Sequence, residues 1–160
     1  MTAFYHVCFV VPELEPAMRD FSAAAGVEWR TPRSNVLGDW EYRLTFTTGG
    51  APFIELIEGP PGSPWDATDG PRFDHLGFWT TSLEAGAARL ERHGMPEEFS
   101  ACPYGRAFAY HRMDSIGARV ELLDLALQPG FLDTWNPGGA AMPAIDEETF
   151  GVPQRGAGPS

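Results

Sequence analysis

The sequence predicts an α+β fold made of two tandem βαβββ modules, and three observations point to it. FYHVCFV at residues 4–10 and FDHLGFW at residues 73–79 align with Phe4 on Phe73, His6 on His75 and Phe9 on Phe78, each 69 positions apart. The segments that follow, PELEPAMRDFSAAAG and TSLEAGAARLERHG, carry apolar residues at helical spacing. Later, FIELIEG and ARVELLDL align Glu55 with Glu121 and Leu56 with Leu122 at an offset of 66, which a short loop deletion in the second copy explains.

Taken in order, residues 4–10 read as a strand and Leu14 to about Gly26 as a helix, with the glycine as its stop. WEYRLTFTT at 40–48 reads as a strand, Gly49-Gly50 as a hairpin signal and PFIELIEG as the strand that returns. The second copy repeats the plan. Its strand at 73–79 precedes a helix with Leu83, Ala87 and Leu90 on one face and Gly94 at its end, and RAFAYHRMD and ARVELLDL close it as two further strands. This gives a first module at 1–58, a linker at 59–72 rich in Gly, Pro and Asp, and a second module at 73–127. Residues 128–160 read as a Pro/Gly-rich C-terminal tail with a disordered end, in which Phe131, Leu132 and Trp135 gain from packing on a pocket rim or a partner subunit.

The 22 acidic and 11 basic residues give a net charge of −11, which argues against nucleic acid or an anionic membrane as partner. Neither a secretory segment nor a membrane-length apolar run is visible, and two cysteines, Cys8 and Cys102, are too few for a disulfide framework. A cytoplasmic protein with free thiols is expected. Sheet edges and the apolar residues of the tail make a homodimer the expected assembly.

Strand alternation carries the functional reading. Val7, Phe9 and Val11 share one face of the first strand, so His6 and Cys8 occupy the other; Leu76 and Phe78 likewise oppose His75, Gly77 and Trp79. Glu55 lies between Ile54 and Leu56, and Glu121 between Val120 and Leu122. If the apolar sets face the helices, two His and two Glu meet on the concave face. Alone, each of the four is ordinarily a structural or solvent-facing residue. Recurrence at matching places in both copies points to a shared role, and a divalent cation offsets the cost of burying such a cluster. Imidazole and carboxylate ligands suit Zn, Ni, Co, Mn or Fe(II).

The pocket around the cluster is expected to be lined by Cys8, Phe46, Phe53, Trp79, Tyr110 and His111, favouring a small apolar or aromatic substrate. Arg33, Arg43, Arg106, Arg112 and Arg119 are the cations available for a local basic lip, while His93 near a helix end reads as structural.

Doubled βαβββ modules, with His on the first strand and Glu on the last of each, resemble the vicinal oxygen chelate superfamily of glyoxalase I, methylmalonyl-CoA epimerase, extradiol dioxygenases and bleomycin-binding proteins. The resemblance spans residues 4 to about 127. HVCFVVPELEPAMRDF and DHLGFWTTSLEAGAARLERHG are closest in wording to the epimerases, whereas the His, Glu, His, Glu set is similar to bacterial glyoxalase I. It implies a concave, partly closed barrel-like sheet with outer helices, the glyoxalase-like fold. It also implies one divalent ion held by His6, Glu55, His75 and Glu121, with Glu55 and Glu121 as proton-transfer groups in a lyase or isomerase reaction through an enolate-like anion. Within the same family, the alternatives are a binding or resistance protein for a natural product or drug, and an Fe(II)-dependent ring-cleaving dioxygenase.

Overall fold

The structure, a computed structural model, describes residues 4–148; the expected disorder of the tail's end lies outside them. The first module runs β1 (Phe4–Val10), α1 (Leu14–Ala25), β2 (Arg33–Leu37), β3 (Trp40–Phe46) and β4 (Phe53–Glu58). The second runs β5 (Arg72–Thr80), α2 (Leu83–Arg92), β6 (Glu97–Ser100), β7 (Phe108–Met113) and β8 (Ala118–Asp124). Two further helices follow, α3 (Gln128–Trp135) and the short α4 (Ile145–Glu148). None of the described helices is long and apolar enough to cross a membrane.

All eight strands join one sheet in the order β2-β3-β4-β1-β5-β8-β7-β6. The modules meet at an antiparallel β1–β5 pair, and each first strand pairs in parallel with the last strand of its own copy. The registers obey both sequence offsets: Cys8 stands opposite Glu55 as Gly77 stands opposite Glu121, and His6 opposite Gly77 as His75 stands opposite Cys8. The sheet curls until its two sides touch through side chains, with the Trp40 ring packed at a tilt against Phe99 and Tyr104.

The apolar sets behave as alternation predicts. Phe9, Val11 and Leu56 pack with Leu14, Met18 and Phe21 of α1, while Phe78, Val120 and Leu122 pack with Leu83 and Leu90 of α2. Helix ends follow local chemistry. Ser82 accepts from the Ala85 N–H at the start of α2, and Gly26 closes α1 at φ 66°, a conformation a side chain would resist. Glu13 gives α1 no side-chain cap; instead the Glu58 carboxylate accepts from the Leu14 N–H at 2.8 Å and also pairs with Arg43.

Two segments differ from their sequence reading. The 59–72 stretch is more than a linker: Trp65 is 1% exposed, packs against the Tyr42 ring and donates from Nε1 to the Tyr110 hydroxyl at 2.9 Å. Turns held by Ser63 and Asp66 satisfy the backbone on either side, which is what lets an indole enter the core. The tail is helical over Gln128–Trp135. Pro129 sits in the first turn of α3, where its missing N–H costs nothing, and Gln128 exchanges two hydrogen bonds with the Met142 backbone. Phe131 follows Trp65 at the offset of 66 that relates Glu55 to Glu121, so each copy is followed by an aromatic that folds onto the concave face.

Candidate metal centre

The registers explain how four distant residues meet. His6 and Glu121 lie on either side of Gly77, and His75 and Glu55 on either side of Cys8, in two adjacent rows across the sheet centre. Gly77 has to be bare: a Cβ there would stand 2.0 Å from His6 Cε1 and 2.3 Å from Nδ1.

Four donor atoms face one another. His6 Nε2 lies 2.9 Å from His75 Nε2, 3.0 Å from Glu55 Oε2 and 3.2 Å from Glu121 Oε2. His75 Nε2 lies 3.4 Å from Glu55 Oε2 and 3.2 Å from Glu121 Oε2. At the bond lengths of about 2.0–2.2 Å usual for Zn-type ions, adjacent ligands stand about 3.0–3.5 Å apart, so the spacing of His6, His75 and Glu121 fits one shared cation, and Glu55 stands within reach of both imidazoles beside it. All four side chains belong to one chain, and none is more than 5% exposed.

The protonation pattern also fits. Asp74 Oδ2 lies 2.7 Å from His75 Nδ1, and an ionised carboxylate can only accept, so Nδ1 carries the proton and Nε2 presents its lone pair to the cluster. Arg119 donates to the same Asp74 oxygen at 2.5 Å and to the Pro64 carbonyl at 3.1 Å. Burial alone would raise Asp74; His75 and Arg119 outweigh it and hold the carboxyl ionised. His6 lacks such an anchor, and its buried Nδ1 has no hydrogen-bond partner among the described residues. Within the cluster, burial disfavours every charge, yet His6 and His75 pull Glu55 and Glu121 below the usual carboxylate range while the acidic neighbours push both imidazoles up. A divalent ion would satisfy the same carboxylates from the imidazole side of the cluster, in place of protons.

Asp74 and Tyr5 were not legible as site residues. Strict alternation sends both to the helical face, but each is the extra residue of a β-bulge: Tyr5 is skipped between the Phe4 and His6 pairs, and Asp74 between the Cys8 and Phe9 pairs. The two bulges are 69 residues apart and turn both side chains toward the histidines. The double FxH spacing was the only available signal.

The cluster opens into a cavity of about 370 Å³. His6, Glu55 and Glu121 lie in its wall, with Phe46, Trp79 and Tyr110 as the sequence suggested and Tyr5, Tyr42 and Trp65 beside them. Three expected lining residues lie elsewhere. Cys8 is fully buried between His75 and Glu55; Phe53 packs behind Phe46 and Phe131; and His111, next in strand β7 to Tyr110, turns to the other face and lies 3.0 Å from the Met95 carbonyl through Nδ1. From the tail, Phe131 and Trp135 cover the cavity, Phe131 meeting the rings of Tyr5, Phe46, Phe53 and Trp79. Of the five arginines, Arg33 and Arg106 line it; Arg43 and Arg112 are paired elsewhere, and Arg119 anchors Asp74.

Fold and donor cluster together define a doubled-βαβββ half-barrel protein with a buried site at the junction of its modules. The chain belongs to the glyoxalase/bleomycin resistance protein/dioxygenase superfamily, which it matches over residues 5–124. Among solved structures, a Streptomyces coelicolor methylmalonyl-CoA epimerase variant in complex with 2-nitronate-propionyl-CoA is similar with a TM-score of 0.57 and 19% identity, over 78% of this chain and 97% of the epimerase. The Mycobacterium tuberculosis methylmalonyl-CoA epimerase gives 0.53 and 18%, over 76% and 86%. A mutant 4-hydroxymandelate synthase from Streptomyces coelicolor gives 0.54 and 16%, over 76% of this chain and 47% of the synthase. These likenesses are of fold. No curated protein sequence matches the chain significantly.

Proposed function

We propose that the chain is a metal-dependent lyase or isomerase that binds a small substrate through two neighbouring oxygens and moves a proton beside a carbonyl. The observation that carries this reading is the convergence of His6, Glu55, His75 and Glu121, two donors from each module, at 2.9–3.4 Å. Two carboxylates exceed what a two-His, one-carboxylate oxygenase centre requires, which favours proton transfer over oxygen chemistry.

His6, Glu55, His75 and Glu121 would hold the ion. When bound, it supplies Lewis acidity for negative charge developing on substrate oxygen. Glu55 and Glu121 come from opposite modules, and one of them takes the proton from carbon and returns it as the substrate passes through an enolate-like anion. Tyr5, Phe46, Trp79 and Tyr110 exclude water around that anion, and the Trp79 N–H, buried without an acceptor among the described residues, is left to donate to the bound molecule.

Glu55→Gln and Glu121→Gln test the assignment. With a hemithioacetal of a 2-oxoaldehyde or a 2-methyl-3-oxoacyl thioester as substrate, the proton-transferring glutamate should lose about 10²–10⁴-fold in turnover. Metal content measured on the same samples separates lost chemistry from lost loading. Unchanged rates in both variants would remove the proposed role.

A further inference from the structure

The cavity is polar at both ends and aromatic between them. Its floor is the donor cluster. Its other polar end is cationic, which is unexpected in a chain of net charge −11. Arg33 and Asn35 lie two apart on β2 and so share one face, and Tyr42 stands opposite Asn35. Arg106 sits beside the Tyr42 hydroxyl, and the Arg33 guanidinium lies 5.8 Å from the Trp135 ring centroid. Arg33 and Arg106 are exposed, which places them at the mouth.

Neither has a carboxylate partner among the described residues, although Arg43, Arg72, Arg112 and Arg119 all do. An unpaired arginine in open water needs no explanation. Two of them line one aromatic cavity, each guanidinium is a fork of donors that matches a carboxylate, and low-dielectric walls strengthen their field. A divalent ion offsets the charges of Glu55 and Glu121 on the floor, so the arginines need an anion from elsewhere. Arg33 stands in one row with Leu44, Ile57 and Val10, three strand spacings of about 4.8 Å from β1, and its side chain reaches back over part of that distance. The molecule that joins the two ends is therefore elongated.

Resting on the metal reading of the floor, we propose that the substrate is a carboxylic acid with an apolar, ring-sized middle, whose paired oxygens go to the His/Glu cluster and whose distant carboxylate is held by Arg33 and Arg106.

Two probes separate the ends: benzohydroxamic acid, an oxygen chelator, and 4-carboxybenzohydroxamic acid, which adds the distant carboxylate. Calorimetric titration of the zinc-loaded protein should show the carboxylated probe binding at least about tenfold more tightly, as charge-assisted hydrogen bonds imply. That advantage should shrink to about threefold or less in Arg33→Gln/Arg106→Gln, while benzohydroxamic acid binds the variant as before. Equal affinities in the unmutated protein, or an advantage that survives in the variant, would overturn the arginine assignment and leave the metal reading intact. The metal reading fails separately if benzohydroxamic acid binds equally with and without zinc. In that case, terephthalate binding to the zinc-free protein decides the arginine assignment, supporting it if lost in the variant and overturning it if unchanged or undetectable. Thermal midpoints of the variants, expected to match the unmutated chain because both residues are exposed, confirm that the fold is intact.

Discussion

A methyl group at position 77 would occupy the space that the His6 ring now fills. Gly77→Ala should therefore displace His6, lowering stability by about 1–3 kcal/mol through overpacking and reducing zinc affinity much more than a surface change would. Retained zinc affinity, measured by competition with a chromogenic chelator, would mean that His6 is not a ligand. Asp74→Asn keeps the shape of the second partner but removes the charge that holds His75 in its tautomer. The expected loss is about 10–100-fold in zinc affinity, read by the same competition, together with a lowered thermal midpoint because the buried Arg119 loses its carboxylate. At this scale the sequence was half legible. His6, His75, Glu55 and Glu121 could be read because each recurs in a regular strand with apolar neighbours. Tyr5 and Asp74 could not, because a bulge moves a side chain to the other face without leaving a period-two signature.

Segment 59–72 shows how a polar element supports an apolar site. The Asp66 carboxylate accepts from the Gly62 N–H, the Thr68 N–H and the Thr68 hydroxyl, and these bonds hold its pKa down to about 2. A carboxyl whose pKa is depressed on folding contributes stability above its unfolded value, near 3.9, and loses it as pH falls toward about 2. Asp66→Ala should thus lower the thermal midpoint most above about pH 5, and the two proteins should converge toward about pH 2. A parallel offset across the whole range would show that the charge is not what matters. Among the strands, β1, β3, β4, β5, β7 and β8 were legible because each carries enough apolar residues to be buried inside the sheet, bulges in β1 and β5 notwithstanding. β2 (RSNVL) and β6 (EEFS) lack that pattern because each is an edge with little to bury. Helix α3 was hidden because QPGFLDTW has Pro and Gly in its first turn; its Phe131 folds onto rings supplied by both modules and Trp135 onto Phe46, and tertiary contact decides its state.

For the whole molecule, the duplication made the architecture readable: two weak copies, each ambiguous alone, fixed one another's register. If the cluster holds an ion, its removal should be felt globally, since the four ligands come from β1, β4, β5 and β8. Zinc at about a hundred times its dissociation constant should add about 2.7 kcal/mol to unfolding, and a chelator should lower the thermal midpoint by about 5–10 °C. A midpoint indifferent to both would count against a resident ion. Duplication also bears on which glutamate acts. Two copies related by an exact twofold would offer a substrate two equivalent orientations, in which Glu55 and Glu121 exchange places. Here the copies have diverged around matching donors: Asp74 and Arg119 brace His75, while the corresponding nitrogen of His6 stands alone beside Tyr5, and Cys8 occupies the place that Gly77 leaves bare. The bulges that built a wall in one copy and an anchor in the other make the two orientations unequal, so that under the proposed reaction one glutamate rather than either would serve the bound molecule.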